Sequence, residues 1–233
     1  MSDASDKVRG VRELPLFPLP LVLFPGVPLP LHIFESRYQR MLADIRASDS
    51  LFGLSYFDVA EAEVSRPPVG HIGCVAEVTE VQALPEGRSN ILTVALIRYR
   101  VESYVESPAP YFVGRVQFFE DEEEDADFLE QRADEVLKIF MRIARAVRLI
   151  NDERASLPDL PQTEPERLSF LIAAAMDLDT EVKLELLELR STAERLKRLR
   201  DLLARAVSGY EERARIHSIS KKNGHGGKKI DLE

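Results

Sequence analysis

Apolar and polar positions alternate over short runs in the first half of the chain and recur at every third or fourth residue in the second. Between residues 14 and 38 six prolines and one glycine stand among Leu, Phe, Val and Ile. Each proline lacks an N–H and fixes its own φ, so no continuous helix runs through this stretch. Extended pieces at 14–17 and 29–34 remain, with a turn at Pro25-Gly26, because glycine tolerates positive φ. At Glu35 the pattern changes, and Tyr38, Met41, Leu42 and Ile45 share one face of a helix over 36–47. A strand follows at 51–59, then a connection at 61–68 closed by Pro67-Pro68. Two β-rich runs at 69–84 and 91–105 are joined by a turn at Pro85-Glu86-Gly87-Arg88, and a further run spans 111–119. About six strands with one early helix predict a small, coiled, barrel-like sheet.

The pattern then becomes helical. The acidic run EDEEEDAD at 120–127 reads as a solvated linker that ends in the first turn of a helix, where carboxylates meet the positive end of the dipole. From Phe128 to Asn151 apolar residues recur at helical spacing. After a proline-bounded loop at 157–161, Thr163 and Glu166 have capping-box spacing before a short helix. A last helix is expected over 180–207, its apolar seam suited to the 128–151 helix of the same chain or to another chain. The fold class expected is therefore α+β: residues 1–12 flexible, 13–120 a β-rich coiled-sheet or pseudo-barrel lobe with one helix, 121–210 an α-helical bundle lobe, and 211–233 a charged tail without structure.

With 45% hydrophobic and 30% charged residues the chain can bury a real core and stay soluble. No apolar run reaches the ~20 residues of a membrane helix, and no signal-peptide pattern opens the sequence. The single Cys74 leaves no internal disulfide and suits the cytoplasm. A net charge of −9 argues against nucleic acid, because phosphate contacts need clustered Lys and Arg.

The opening stretch resembles the Lon-type N-terminal domain, the substrate-binding module of ATP-dependent Lon proteases. The residues that carry the resemblance are Leu14-Pro15-Leu16-Phe17-Pro18-Leu19, Leu23-Phe24-Pro25-Gly26, and Leu29-Pro30-Leu31-His32-Ile33-Phe34-Glu35 followed by Arg37-Tyr38. Phe52-Gly53-Leu54, Gly70 with Gly73-Cys74, Glu86-Gly87-Arg88 and Arg98-Tyr99-Arg100-Val101 continue it, while Ala95 stands where the family usually has glycine. The resemblance extends over residues 14–207. It implies a β-rich first lobe and a non-catalytic role in binding unfolded or partly folded polypeptide, or a protein partner such as a protease.

Enzymatic and metal chemistry find little support in the residues. The segment from Lys222 to Lys229 lacks the first glycine and the Ser or Thr of a phosphate-binding loop. Ser218 and Ser220 beside Lys221 have nothing to hold a nucleophile and base together. His71 and Cys74, three apart on a strand, point to opposite faces and make a poor metal pair, and no cofactor is implied. The candidates are instead two sets: Tyr56, Phe57, Tyr104, Tyr111 and Phe112 as an apolar contact patch for polypeptide, and Glu35 paired with Arg98 or Arg37 as a buried ion pair at the strand-to-helix corner. A structural protein that assembles through its last helix, and a small-molecule binding module, are the competing readings.

Overall fold

The computed structural model describes residues 3–57, 66–152 and 163–223. The expected connection at 61–68 and loop at 157–161 fall partly or wholly outside these residues, as do the last ten residues of the chain. By contacts the chain forms two units: Met1–Glu122 with Phe170–Arg190, and Glu123–Ser169 with Ser191–Glu233.

In the first unit a short helix α1 (Asp3–Lys7) precedes β1 (Glu13–Leu19), β2 (Pro28–Ile33), α2 (Ser36–Arg46), β3 (Leu51–Tyr56), β4 (Ile72–Ala83), β5 (Ser89–Val105) and β6 (Phe112–Phe119). The strands run in the order β2-β5-β4-β3-β1-β6, and a further β5–β6 pairing closes five of them into a ring. β5 serves two parts of this one sheet. Its first half lies between β2 and β4 as a three-stranded extension, and its second half pairs with β6 to close the barrel.

Inside the barrel Leu14, Leu16, Leu51, Val75, Ile97, Tyr99, Val101 and Val116 pack into one cluster. Tyr99 is fully buried and shares a 2.6 Å hydrogen bond with the Ser55 hydroxyl. Glycine 73 is required beside it: a Cβ there would lie 2.4 Å from the Leu54 carbonyl oxygen and 2.5 Å from Tyr99 Oη. A second cluster covers the opposite face, where α2 buries Tyr38, Met41, Leu42 and Ile45 against Phe17, Phe52, Leu54, Cys74 and Ala76. These four are the residues whose spacing predicted the helix.

A bulge in β5 explains how one strand serves both the extension and the barrel. Cys74 faces Arg98 while Ala76 faces Ala95, so β5 carries one extra residue between these pairs. The extra residue resets the alternation. Ala95 and Arg98 therefore lie on the same face, and Tyr99 turns inward.

The second unit is built on α3 (Ala126–Ile150) and α6 (Thr192–Asn223), which pack along one another. Between them in sequence come α4 (Pro165–Ala175) and α5 (Thr180–Glu188), and the division between units passes through α4. Ala133, Val136, Ile143 and Ala146 of α3 and Leu196, Leu199, Leu203, Val207 and Ala214 of α6 are buried.

Four features of the helices differ from the sequence expectation. The first stretch, expected as flexible over 1–12, holds α1, and Val8 just after it is buried in the barrel cluster with Ala4 and Val11 packed alongside, an apolar anchor too short to show a helical period. The single helix expected over 180–207 is broken at Leu189, and α6 restarts with Ser191 as its cap: Ser191 Oγ accepts from the Glu194 N–H at 3.0 Å. The apolar spacing runs across this break, which hides it. Helix α4 begins at Pro165, so Glu164, not Thr163, is the residue before the first turn. Helix α6 continues through residues 211–223, into the stretch expected as an unstructured tail.

The acidic run is tied into the structure and is not merely solvated. Asp125 caps α3 by accepting from the Phe128 N–H at 2.8 Å, and the Glu124 carboxylate accepts from the Ala193 N–H at 3.2 Å. Asp121 pairs with Arg98.

Candidate functional site

The five aromatic residues nominated from sequence do not meet in one patch. Tyr104 packs against the barrel cluster, its ring 6.1 Å from that of Phe112 and 3.9 Å from the Arg66 guanidinium, and its hydroxyl donates to the Pro67 carbonyl at 2.6 Å. Phe112 packs against the same cluster. Tyr111 instead packs against the α2 cluster and donates to Asp44 Oδ2 at 2.9 Å. Burial pushes both phenols up to about 12, with the Asp44 carboxylate adding to the effect at Tyr111. Phe57 is buried and Tyr56 half-buried at the end of β3. Tyr104 and Phe112 are thus brought together, and Tyr111 is seated elsewhere.

The ion pairs also sort differently. Glu35 bonds Arg37 at 2.8 Å at the start of α2, with the side chains 41% and 34% exposed, and the guanidinium rests 4.6 Å over the Tyr38 ring. This pair is near the surface and does not involve Arg98. Arg98 is fully buried, and its acid is Asp121, whose side chain is only 5% exposed. Its Nη1 also donates to the Leu187 carbonyl at 2.9 Å and the Leu189 carbonyl at 2.6 Å, and its plane lies 4.6 Å from the Phe119 ring and 5.1 Å from that of Phe170. A cation at the C-terminal end of α5 meets the negative end of that helix. Arg98 therefore fastens segment 170–190 to β5. Its partners lie 23 to 91 residues away in sequence, beyond the reach of local pattern.

An exposed apolar strip of this unit lies on the outer face of the three-stranded extension. Antiparallel register sets Pro28 opposite Val94, Pro30 opposite Leu92 and His32 opposite Asn90, and directly opposed residues point to the same face. Leu29, Leu31 and Ile33 point to the α2 cluster, while Pro28, Pro30 and His32 are exposed. Phe34 follows with 60% exposure, its ring stacked 5.9 Å from His32. His32 is held in place by Asn90, whose Oδ1 lies 2.7 Å from Nδ1 and whose amide donates to Gln82 at 3.3 Å.

The backbone of β2 is as specialised as its side chains. Prolines cannot donate to a ladder, so alternation turns the N–H groups of Leu29, Leu31 and Ile33 toward β5. The hydrogen bond from the Ala95 N–H to the Val27 carbonyl at 3.0 Å agrees with this phase. Of the three outward positions, Pro28, Pro30 and His32, only His32 has an N–H.

The family model of the ATP-dependent protease La (LON) substrate-binding domain matches residues 13–205. This chain belongs to that family. The Lon protease of Brevibacillus choshinensis is 28% identical over 218 residues, covering 91% of this chain and 27% of that protein. The Lon protease of Desulforamulus reducens is 27% identical over 212 residues, covering 89% of this chain and 26% of that protein. The chain thus spans about a quarter of the length of these relatives. The N-terminal domain of Mycobacterium avium complex Lon protease superposes with a TM-score of 0.61 at 18% identity, over 83% of this chain and 98% of that one. A Lon N-terminal domain protein from Xanthomonas campestris gives 0.57 at 21% identity, over 81% and 97%. At these identities the two structures support the fold.

Within this LON substrate-binding domain the groups with reactive potential are occupied by packing. Cys74 is fully buried in the α2 cluster, and burial pushes its thiol up to about 12, so it behaves as a small apolar residue. His71 is half-buried and held below its ordinary value, mainly by burial, against the Tyr56 carbonyl and the Glu188 charge, which act in the opposite direction. Its buried Nε2 has no hydrogen-bond partner among the described residues. Among the described residues no group of three or more His, Cys, Asp or Glu could hold a metal ion, and no helix is long and apolar enough to cross a membrane.

Proposed function

We propose that this chain is a non-catalytic polypeptide-binding module that takes unfolded or partly folded segments, working in the cytoplasm alongside a protease supplied by another domain or chain. The observation that carries this reading is the match of residues 13–205 to a substrate-binding domain. Within the β-rich unit the surface we assign to it is the outer face of β2 and β5, where Phe34, Pro30 and Leu92 stand open or half-open. An exposed apolar strip of this kind suits side-chain contact with extended chains. Leu196, Leu199, Leu203 and Val207 are buried where α6 packs along α3, which favours this reading over assembly through that part of the last helix.

The test is binding of reduced and alkylated lysozyme, a permanently unfolded chain, followed by fluorescence anisotropy. Burying the exposed part of Phe34 contributes about 1–2 kcal/mol. Phe34→Ser should therefore weaken binding roughly tenfold with an unchanged melting temperature. Equal binding by parent and variant refutes the assignment of this face. No binding by the parent refutes the function.

A further inference from the structure

The helical unit carries a second surface of different chemistry. Between the last turns of α3 and the facing part of α6 lies an open groove of about 380 Å³. Its floor is apolar: Ala146 and Ala214 are buried, and Leu149 stands 57% exposed beside them. Its rim is formed by Arg142, Arg145 and Arg215 together with Glu211 and Ser218, three cations to one carboxylate.

The rim has an excess of positive charge. After Glu135, α3 carries Lys138, Arg142, Arg145 and Arg148 and no acidic residue through Ile150. The spacing of four, three and three sets these along one stripe, and Leu149, four residues after Arg145, shares their face. The acids of α6 are already engaged: Glu211 bonds Arg142 at 2.8 and 2.9 Å, and Glu212 bonds Arg215 at 2.8 and 2.9 Å. Arg145 has no acidic partner within 4 Å among the described residues. In a chain of net charge −9 this is a local reversal of sign.

We propose that this groove is a second polypeptide site, one that takes a segment in which a bulky apolar residue is flanked by carboxylates. The side chain would cover Leu149 and the two alanines, and a neighbouring carboxylate would give Arg145 the partner it lacks. The proposal rests on the polypeptide-binding reading for the class of ligand, but on different residues. Phosphate polymers fit less well. They need a cluster of free cations, whereas two of the three rim arginines are already paired and the floor is apolar.

The probe is a tetramethylrhodamine-labelled peptide, Gly-Ser-Asp-Glu-Phe-Glu-Asp-Ser-Gly, titrated with the full chain and read by anisotropy. Its controls replace the acids with Asn and Gln, or the Phe with Ser. Arg145→Glu and Leu149→Ser, both at exposed positions, should each weaken binding roughly tenfold, and both control peptides should bind more weakly than the probe. Salt should reduce the preference for the acidic peptide. Equal affinity for parent and both variants overturns the proposal, as does stronger displacement by a single-stranded oligonucleotide than by unlabelled peptide. A dimer by light scattering that Arg145→Glu converts to monomer would assign the groove to a second copy instead. If unfolded lysozyme binds and the acidic peptide does not, the groove assignment fails alone; if neither binds, both readings fail.

Discussion

Replacing Arg98 with methionine keeps an unbranched apolar stem that reaches about as far as Nε but removes the guanidinium. Asp121, with its side chain 5% exposed, is then a buried carboxylate without its cation. The carbonyls of Leu187 and Leu189 lose donors at 2.9 and 2.6 Å. Breaking one side of a buried pair costs ~3–5 kcal/mol, and a buried carbonyl left bare adds about 1 kcal/mol. The sum, about 4–6 kcal/mol, is a large part of the ~5–15 kcal/mol that holds a domain folded. Arg98→Met combined with Asp121→Leu removes the stranded charge and should recover about 2–4 kcal/mol of that loss. Urea unfolding followed by far-UV circular dichroism gives the free energies, with tyrosine emission as a second probe in a chain without tryptophan. Hydrogen exchange over Thr180–Glu188 should show α5 losing protection before the barrel strands. A single variant within ~1 kcal/mol of the parent, or a double variant no better than the single one, would refute the view that Arg98 and Asp121 depend on one another.

Two further perturbations probe the first unit. Gly73→Ala places a methyl group against the Leu54 carbonyl and the Tyr99 hydroxyl and should cost about 1–3 kcal/mol through overpacking; an unchanged urea midpoint would mean that the barrel interior has slack there. His71 is held below its ordinary value of 6.5, so the unfolded chain binds its proton first as pH falls. The stability from keeping this imidazole neutral is therefore full above pH 6.5 and is lost as pH drops toward the folded-state value. His71→Gln should flatten that part of the stability-versus-pH curve, and a variant whose slope matches the parent's would remove His71 as its source.

Local pattern made much of the fold legible. The prolines excluded a helix before Glu35, the spacing of Tyr38, Met41, Leu42 and Ile45 marked α2, and the runs around Val75 and Val101 marked the long strands. Features that depend on distant pairing were not legible. The bulge near Ala95 appears only when β4 is laid beside β5, and the return of 170–190 to the first unit depends on Arg98. The Ser191–Glu194 cap has a recognisable local form, but the uninterrupted apolar spacing of Leu186, Leu189 and Leu196 masked it. The nominated aromatics failed to converge because β-rich sequence does not reveal which of two apolar clusters a residue joins. Phe34, which continues the alternation of Pro28, Pro30 and His32, is the most exposed aromatic among the described residues.

The two prolines of β2 set the terms on which anything can settle against this edge. A visiting strand would find carbonyls to donate to but only the His32 N–H to accept from, so it could not zip onto the sheet in a fixed register. What the edge can offer is contact with rings and methyl groups, which is indifferent to chain direction and to the exact phase of the visiting backbone. A surface of this kind would sort segments by what their side chains are made of, and one binding face could then serve many unrelated sequences without growing into an aggregate.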